Sequence, residues 1–308
     1  MSGINQHFVP RLYLRKYTNF KESIWVYDKI QNKTYNPGLM GVSSENFFYT
    51  LSEKEINDIK KELLQDEINP NFVDDLFTYE IEPVFNNSLE KLLNSYSKLK
   101  NENEYVLLES DLSQLAFSLA FQYYRTKSFR NGMQQDFKSF ISRALNAESV
   151  AEIGGFFDER IVLEHSKKIF SKSYVLAEKL ANDYIWILME NNTGIPFYTS
   201  DTPVVAWVLD DGEFLQAIHE PPNEIDQYAI PRTDKLLLVL AKREEFLTEI
   251  LNHRKVKSIK KVEEIEFYNV AQLHACFRQV FCISKDFAMI NGLDTILPDR
   301  TAGKVKIN

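Results

Sequence analysis

The chain predicts an α+β fold: a mixed or mainly antiparallel sheet with a large helical insertion around residues 52–180. Three observations lead there. Short strand-like stretches, rich in β-branched and aromatic residues, stand near both ends. Between them Leu112, Leu115, Ala116, Leu119, Ala120 and Tyr123 recur at three- and four-residue steps, the period of a helix face. Further on the pattern becomes near-continuous apolar runs of strand length, as in Tyr184-Ile185-Trp186-Ile187-Leu188-Met189. Strands and helices do not alternate as a doubly wound parallel sheet requires.

Taken in order, Pro10 suits the first position of a short helix through Tyr17, where its missing N–H is no loss. Residues 23–29 read as a strand, turned at Gln31-Asn32-Lys33 and returning through Thr34 and Tyr35. Residues 43–50 fit either a strand or a turn. Ser52 and Glu55 form a capping-box pattern for a charged helix starting near Glu53. Residues 71–97 are helical with a kink near Pro83. Helices follow at 111–126, 133–145 and 157–180. The strand at 184–189 turns at Asn191-Asn192-Thr193-Gly194 into a return strand at 196–199. Strands are expected at 203–209 and 235–241, a helix at 243–253, and a helix over 266–278 that starts near Asn269, a good capping residue. Residues 279–284 read as a closing strand.

The 308 residues carry a formal net charge of -8, with 44% hydrophobic and 26% charged residues, 22 Phe and 15 Tyr. A sizeable core follows, and an acidic balance argues against a nucleic-acid footprint spread over the whole surface. With 10 Gly and 10 Pro no linker divides the chain. The expected organisation is one α+β domain over 1–296 and a polar tail over 297–308. Cys276 and Cys282 lack the spacing of a zinc knuckle or redox pair and fit a reducing compartment. The opening residues lack the charged leader and apolar stretch of a signal peptide. The longest aliphatic run, Leu236-Leu237-Leu238-Val239-Leu240-Ala241, falls far short of the ~20 residues of a membrane helix. A cytoplasmic, bacterial-style soluble protein is expected.

No Gly-rich phosphate loop, His-Glu-x-x-His or Gly-x-Ser-x-Gly occurs, which sets aside P-loop hydrolases, zincin proteases and ordinary serine esterases. The five histidines share no metal-ligand spacing, and no metal site is assigned. Polar groups do cluster in apolar surroundings, where they need partners. His7 and Arg11 lie four apart, one helix face if the segment is helical. His7 suits acid–base chemistry and Arg11 an anion; the alternative is a histidine that anchors the first helix. Gln122 and Arg125 share a face three apart at the end of an apolar helix. Arg125 can clamp a phosphate or carboxylate through two parallel hydrogen bonds, or cap the helix C-terminus, and Arg130 nearby can serve either purpose. In Ser200-Asp201-Thr202-Pro203, Asp201 is a turn former or a general base, and Ser200 a binding or nucleophilic hydroxyl. Asn269 is a helix cap or a site residue. Glu263, Glu264 and Glu266 read as a solvated run. The basic stretch at 253–261 faces solvent, or touches nucleic acid or an acidic partner.

Together, His7-x-x-Pro10-Arg11-x-Tyr13-Leu14, Gln122-x-x-Arg125-Thr126, Thr199-Ser200-Asp201-x-Pro203 and the late Asn269 resemble the bacterial family called domain of unknown function 4238, from His7 to about Ser284. The resemblance implies that His7, Gln122, Arg125, Ser200, Asp201 and Asn269 share one site; no reaction or cofactor comes with it.

The working expectation is an enzyme acting on a phosphate-containing substrate, such as a nuclease-like effector in bacterial anti-phage defence. His7 would be the acid–base group, Asp201 would orient His7 or a water, and Arg11 and Arg125 would hold anionic oxygens. Gln122, Ser200 and Asn269 would contact the substrate. The partners in keeping with this are a nucleic acid, a nucleotide or a protein, and no membrane. Two rivals stand beside it. One is a non-catalytic sensor or binding module for a small anionic ligand or a protein partner. The other is a purely structural hydrogen-bond network.

Overall fold

The computed structural model describes residues 5–18, 22–64, 67–101, 103–210, 213–217, 225–285, 287 and 304–306. The chain opens with β1 (Asn5–His7), helix α1 (Arg11–Leu14) running into a 3₁₀ turn (Arg15–Tyr17), the hairpin β2 (Trp25–Asp28) and β3 (Lys33–Tyr35), and β4 (Ser44–Asn46). A helical block follows: α2 (Glu53–Leu63), α3 (Phe72–Leu76), α4 (Glu82–Ser97), α5 (Glu109–Tyr124), α6 (Lys127–Ser142), α7 (Ala147–Asp158) and α8 (Ile161–Asp183). Then come β5 (Tyr184–Asn191), β6 (Thr199–Ser200), β7 (Val205–Asp210), β8 (Glu213–Ala217), β9 (Gln227–Pro231), β10 (Leu236–Lys242), β11 (Val256–Ile259), α9 (Val262–Ala275), β12 (Gln279–Cys282) and β13 (Lys304–Lys306). The α+β class and the helical insertion hold.

Strand alternation sets the layering. Side chains on successive strand residues point to opposite faces. Trp186, Leu188, Ile230, Leu238, Leu240 and Ala206 join one buried core with Leu115 and Leu119 of α5 and Leu176 and Leu180 of α8. Their neighbours Ile185, Ile187, Ala229, Leu237, Val239 and Trp207 join a second core with Ile265, Tyr268, Ala271 and Ala275 of α9. The seven-stranded sheet, in the order β11-β5-β10-β9-β7-β8-β13, therefore lies between the helical block and α9. Its pairings are antiparallel except for β11 with β5. A four-stranded sheet, β3-β2-β12-β6, packs Tyr27, Val280 and Cys282 with Leu273 and Cys276, at the end of α9. β1 and β4 form a separate pair, with His7 opposite Ser44.

Local chemistry explains the helix ends. Ser52 and Glu55 form the expected capping box on α2, and Glu55 also accepts the amide of Leu163, tying α2 to α8. The kink near Pro83 is a π-helical turn over Phe77–Ile81. Proline has no N–H to donate and crowds the carbonyl four residues back, so the helix widens ahead of it. α6 starts at Lys127 rather than 133 because Thr126 accepts the amide of Phe129 as a side-chain cap.

Several expectations are corrected. The return strand after β5 does not pair with it: β6 pairs with β12, and β5 lies between β10 and β11. The expected helix at 243–253 is only a 3₁₀ turn, Leu247–Asn252. The basic stretch at 253–261 contains β11, an edge strand. Asn269 does not open a helix; α9 begins at Val262 and buries Asn269 in its middle. Strand β8 and helix α7 were not expected. Of the tail at 297–308, Lys304–Lys306 pair with β8 as β13; the remainder lies outside the described residues.

Candidate functional site

His7 ends β1 and Arg11 begins α1, so they do not share a helix face as a helical segment would require. They meet electrostatically across the turn at Pro10. The imidazole of His7 is half-buried near the carbonyl of Leu39. Its Nε2 is buried without a hydrogen-bond partner among the described residues. Burial first, then the guanidinium groups of Arg11 and Arg125, lower its pKa to about 4, against the opposing pull of the Leu39 carbonyl. Arg11 is exposed and rests against the sulfur of Met40.

The Gln122–Arg125 pair does share a helix face, and that face grips β1. Gln122 Nε2 donates to the carbonyl of Phe8 at 3.0 Å. Arg125 Nη2 donates to the carbonyl of His7 at 2.6 Å and to Glu82 Oε1 at 2.9 Å. Arg125 is 2% exposed, with its guanidinium carbon 4.1 Å from the centre of the Phe77 ring. Burial alone would weaken its charge, but Tyr49 and Glu82 outweigh it and raise its pKa. Arg130 is also buried; its Nε donates to His165 Nδ1 at 3.0 Å, and the other ring nitrogen of His165 lies 2.8 Å from the carbonyl of Tyr124. That fixes a neutral His165 with the proton on Nε2, in line with a pKa driven well below 6.5 by burial and by Arg130.

The third group is tied to α9 and to the turn before β12. Asp201 accepts three backbone amides at 2.8 Å each: Phe277 on Oδ1, and Arg278 and Gln279 on Oδ2. Burial raises its carboxyl to about 6 against the pull of those amides. Ser200 Oγ donates to Gln272 Oε1 at 2.7 Å, while Gln272 Nε2 donates to the carbonyl of Pro203. Asn269 accepts the amide of Tyr198 at 2.7 Å and donates to the carbonyl of Pro196 at 2.9 Å. Thr199 reaches α1, its hydroxyl 2.7 Å from that of Tyr13.

His7, Gln122 and Arg125 are thus brought together with Arg11, and Ser200, Asp201 and Asn269 form a second cluster. Of these residues only Asp201 lines the nearby polar cleft of about 400 Å³. Its wall takes Phe8 from the first stretch, Lys127 just past Thr126, and Asp201 from the third, with Ser44, Glu45, Arg278 and Gln279. Lys127 pairs with Glu45 and lies 4.9 Å from the Phe277 ring centre; Arg278 pairs with Asp28 at 2.7 Å. Gln279 bridges the amide of Ser43 and the hydroxyl of Tyr35, both at 3.0 Å. His7, Arg11 and Arg125 are not on the wall. Glu82, Lys127, Arg278 and Gln279 escaped the sequence reading. Only Lys127 carried a signal, as the residue after a motif Thr that caps a helix. Among the described residues no three His, Cys, Asp or Glu side chains are grouped to hold a metal ion, and no helix is long and apolar enough to cross a membrane.

Fold and site define an α+β protein whose motif stretches are cross-tied through side chain-to-backbone bonds around one polar cleft. The family described as protein of unknown function (DUF4238) matches residues 5–286, and the chain belongs to it. No curated protein and no solved structure matches the chain.

Proposed function

We propose that the protein is a binding module for a small anionic, phosphate-bearing ligand held in this cleft. The observation that carries the reading is that Phe8 of the first stretch, Asp201 of the third and Lys127, just past the second, share one wall. Lys127 and Arg278 face the cleft, and Lys127 opens α6, whose N-terminus favours negative charge. The volume suits a small ligand. The motif side chains fit this role as scaffolding: Asp201, Asn269, Gln122 and Arg125 spend their bonds on backbone groups, which fixes the wall. Thermal unfolding with inorganic phosphate and with nucleoside mono- and diphosphates tests it. A rise in Tm that a Lys127→Ala, Arg278→Ala double variant loses is expected. Equal responses from both proteins, or none from the parent, would reject it.

A second reading, an enzyme acting on a phosphate-containing substrate, is favoured by His7, whose Nε2 has no hydrogen-bond partner among the described residues. Burial and, after it, the Arg11 and Arg125 charges depress its basicity; an anionic substrate would offset the two charges and raise its pKa. A nuclease-like effector, including one in anti-phage defence, is its biological form, and a nucleic acid or nucleotide its partner. Turnover of RNA, DNA or nucleotides that disappears in His7→Gln is its test; intact substrates with and without divalent metal would remove it.

A further inference from the structure

One face of α6 is apolar along its length. Phe129, Met133, Phe137 and Phe140 recur at three- and four-residue steps, the spacing of a face that seeks a core. These residues line a pocket of about 320 Å³ instead, to which α7 adds Phe157 and α8 adds Glu164 and Lys168. Phe140, 72% exposed, lies where the pocket meets solvent.

The walls are held in place. Gln134 and Lys138 of α6 both donate to Asp158 at the end of α7, at 2.9 and 2.6 Å. The Phe137 and Phe157 rings stack with centres 4.1 Å apart and planes 16° apart. Phe129 meets Tyr124 edge-on at 4.9 Å and stacks on His165 at 6.0 Å. Arg160, just beyond α7, pairs with Asp58 of α2. A lining tied down in this way exists before any ligand arrives, as in most small-molecule sites.

The lining also sets the chemistry of the ligand. Four phenyl rings and a thioether seek no strong hydrogen bond, so the body of the ligand is apolar. The ionic groups set its charge. Glu164 has Lys167 at 3.5 Å, and Lys168 is not a free cation. Asp136 lines the pocket three residues after Met133 and four before Phe140, and has no ion-pair partner among the described residues. A free carboxylate beside aromatic rings suits a cation, because ring faces carry the negative end of the quadrupole.

We infer that the pocket between α6, α7 and α8 binds a small organic ammonium ion with an aromatic or branched apolar body, its cationic head beside Asp136. Its wall shares no residue with the polar cleft, and it takes a ligand of opposite charge to the one proposed there.

Calorimetric titration of the full chain with benzyltrimethylammonium, and separately with phenylacetate, tests the site. The cation should bind saturably and raise Tm, and the anion should bind about tenfold more weakly. Met133→Trp fills the pocket and should abolish binding of the cation. Asp136→Asn, at an exposed position, should fold as the parent does and weaken the cation about threefold. That second variant keeps the test decisive where the first does not fold. No saturable binding by the parent, equal affinity for the two probes, or parent-like binding by either variant would each overturn the site. So would a parent dimer in sedimentation that Phe140→Ser dissociates, because a second copy would then occupy the pocket.

Discussion

Asp201 and His7 carry opposite pH signatures. Asp201 has its folded pKa at about 6 against an ordinary 3.8, so the folded state retains a proton that the unfolded chain has released. Its contribution to stability is full below 3.8 and declines as pH rises through 6. His7 has its folded pKa at about 4 against 6.5, so its contribution is full above 6.5 and declines as pH falls through 4. His253, lowered to about 4 mainly by burial, and His165, lowered further, act in the same direction as His7. Asp74, raised mainly by burial, acts in the same direction as Asp201; with three histidines against two aspartates, urea midpoints should rise between pH 4 and 6.5. Asp201→Asn should steepen that rise and His7→Gln should flatten it; unchanged slopes would refute the assignment. Asp201→Ala should cost about 3 kcal/mol at neutral pH, since it leaves three amides without an acceptor, read as a lower urea midpoint. The candidate residues themselves were legible as polar side chains in apolar company. Their partners were not. Most are backbone carbonyls and amides distant in sequence, as Phe277 is from Asp201, and no residue letter marks a carbonyl that needs a donor.

The bond between α5 and β1 is the element-level counterpart. Arg125→Met removes the donor to the His7 carbonyl and leaves Glu82 unpaired, at a cost of about 3 kcal/mol. Arg125→Lys should recover only part of it, because an ammonium lacks the planar fork. Urea midpoints of the two variants check both statements, with unchanged m marking a pure stability effect. Elements with strong local signals were readable: the Ser52–Glu55 cap, the β2–β3 hairpin and the apolar strands β5 and β10. Those fixed by tertiary pairing were not. β6 is only two residues long and exists because β12 lies beside it. β11 is a basic stretch that becomes a strand by docking parallel to β5. Asn269 has the chemistry of a cap, but the segment from Val262 onward is helical because Ile265, Tyr268, Ala271 and Ala275 pack on the sheet.

Across the whole molecule, α9 binds the parts together. One side packs on the seven-stranded sheet, its C-terminal end meets the four-stranded sheet, and Asn269 and Gln272 hold the segment between β5 and β7. Trp186 lies in the core on one face of the large sheet and Trp207 in the core on the other. With Trp25 replaced by Phe, variants that keep only Trp186 or only Trp207 should report coincident urea transitions relative to far-UV circular dichroism. Separated midpoints would mean that the two layers melt independently. The outer rim of the large sheet has a consequence of its own. β11 leaves one row of backbone groups unclaimed by any other described strand, and such a row recruits foreign strands. Lys257 lies in it, and Lys260 and Lys261 follow directly. An intruding chain would have to break the pair of Lys257 with Glu249 and strip water from the ammonium groups that follow, so what reads in the sequence as a surface charge run opposes amyloid-like stacking.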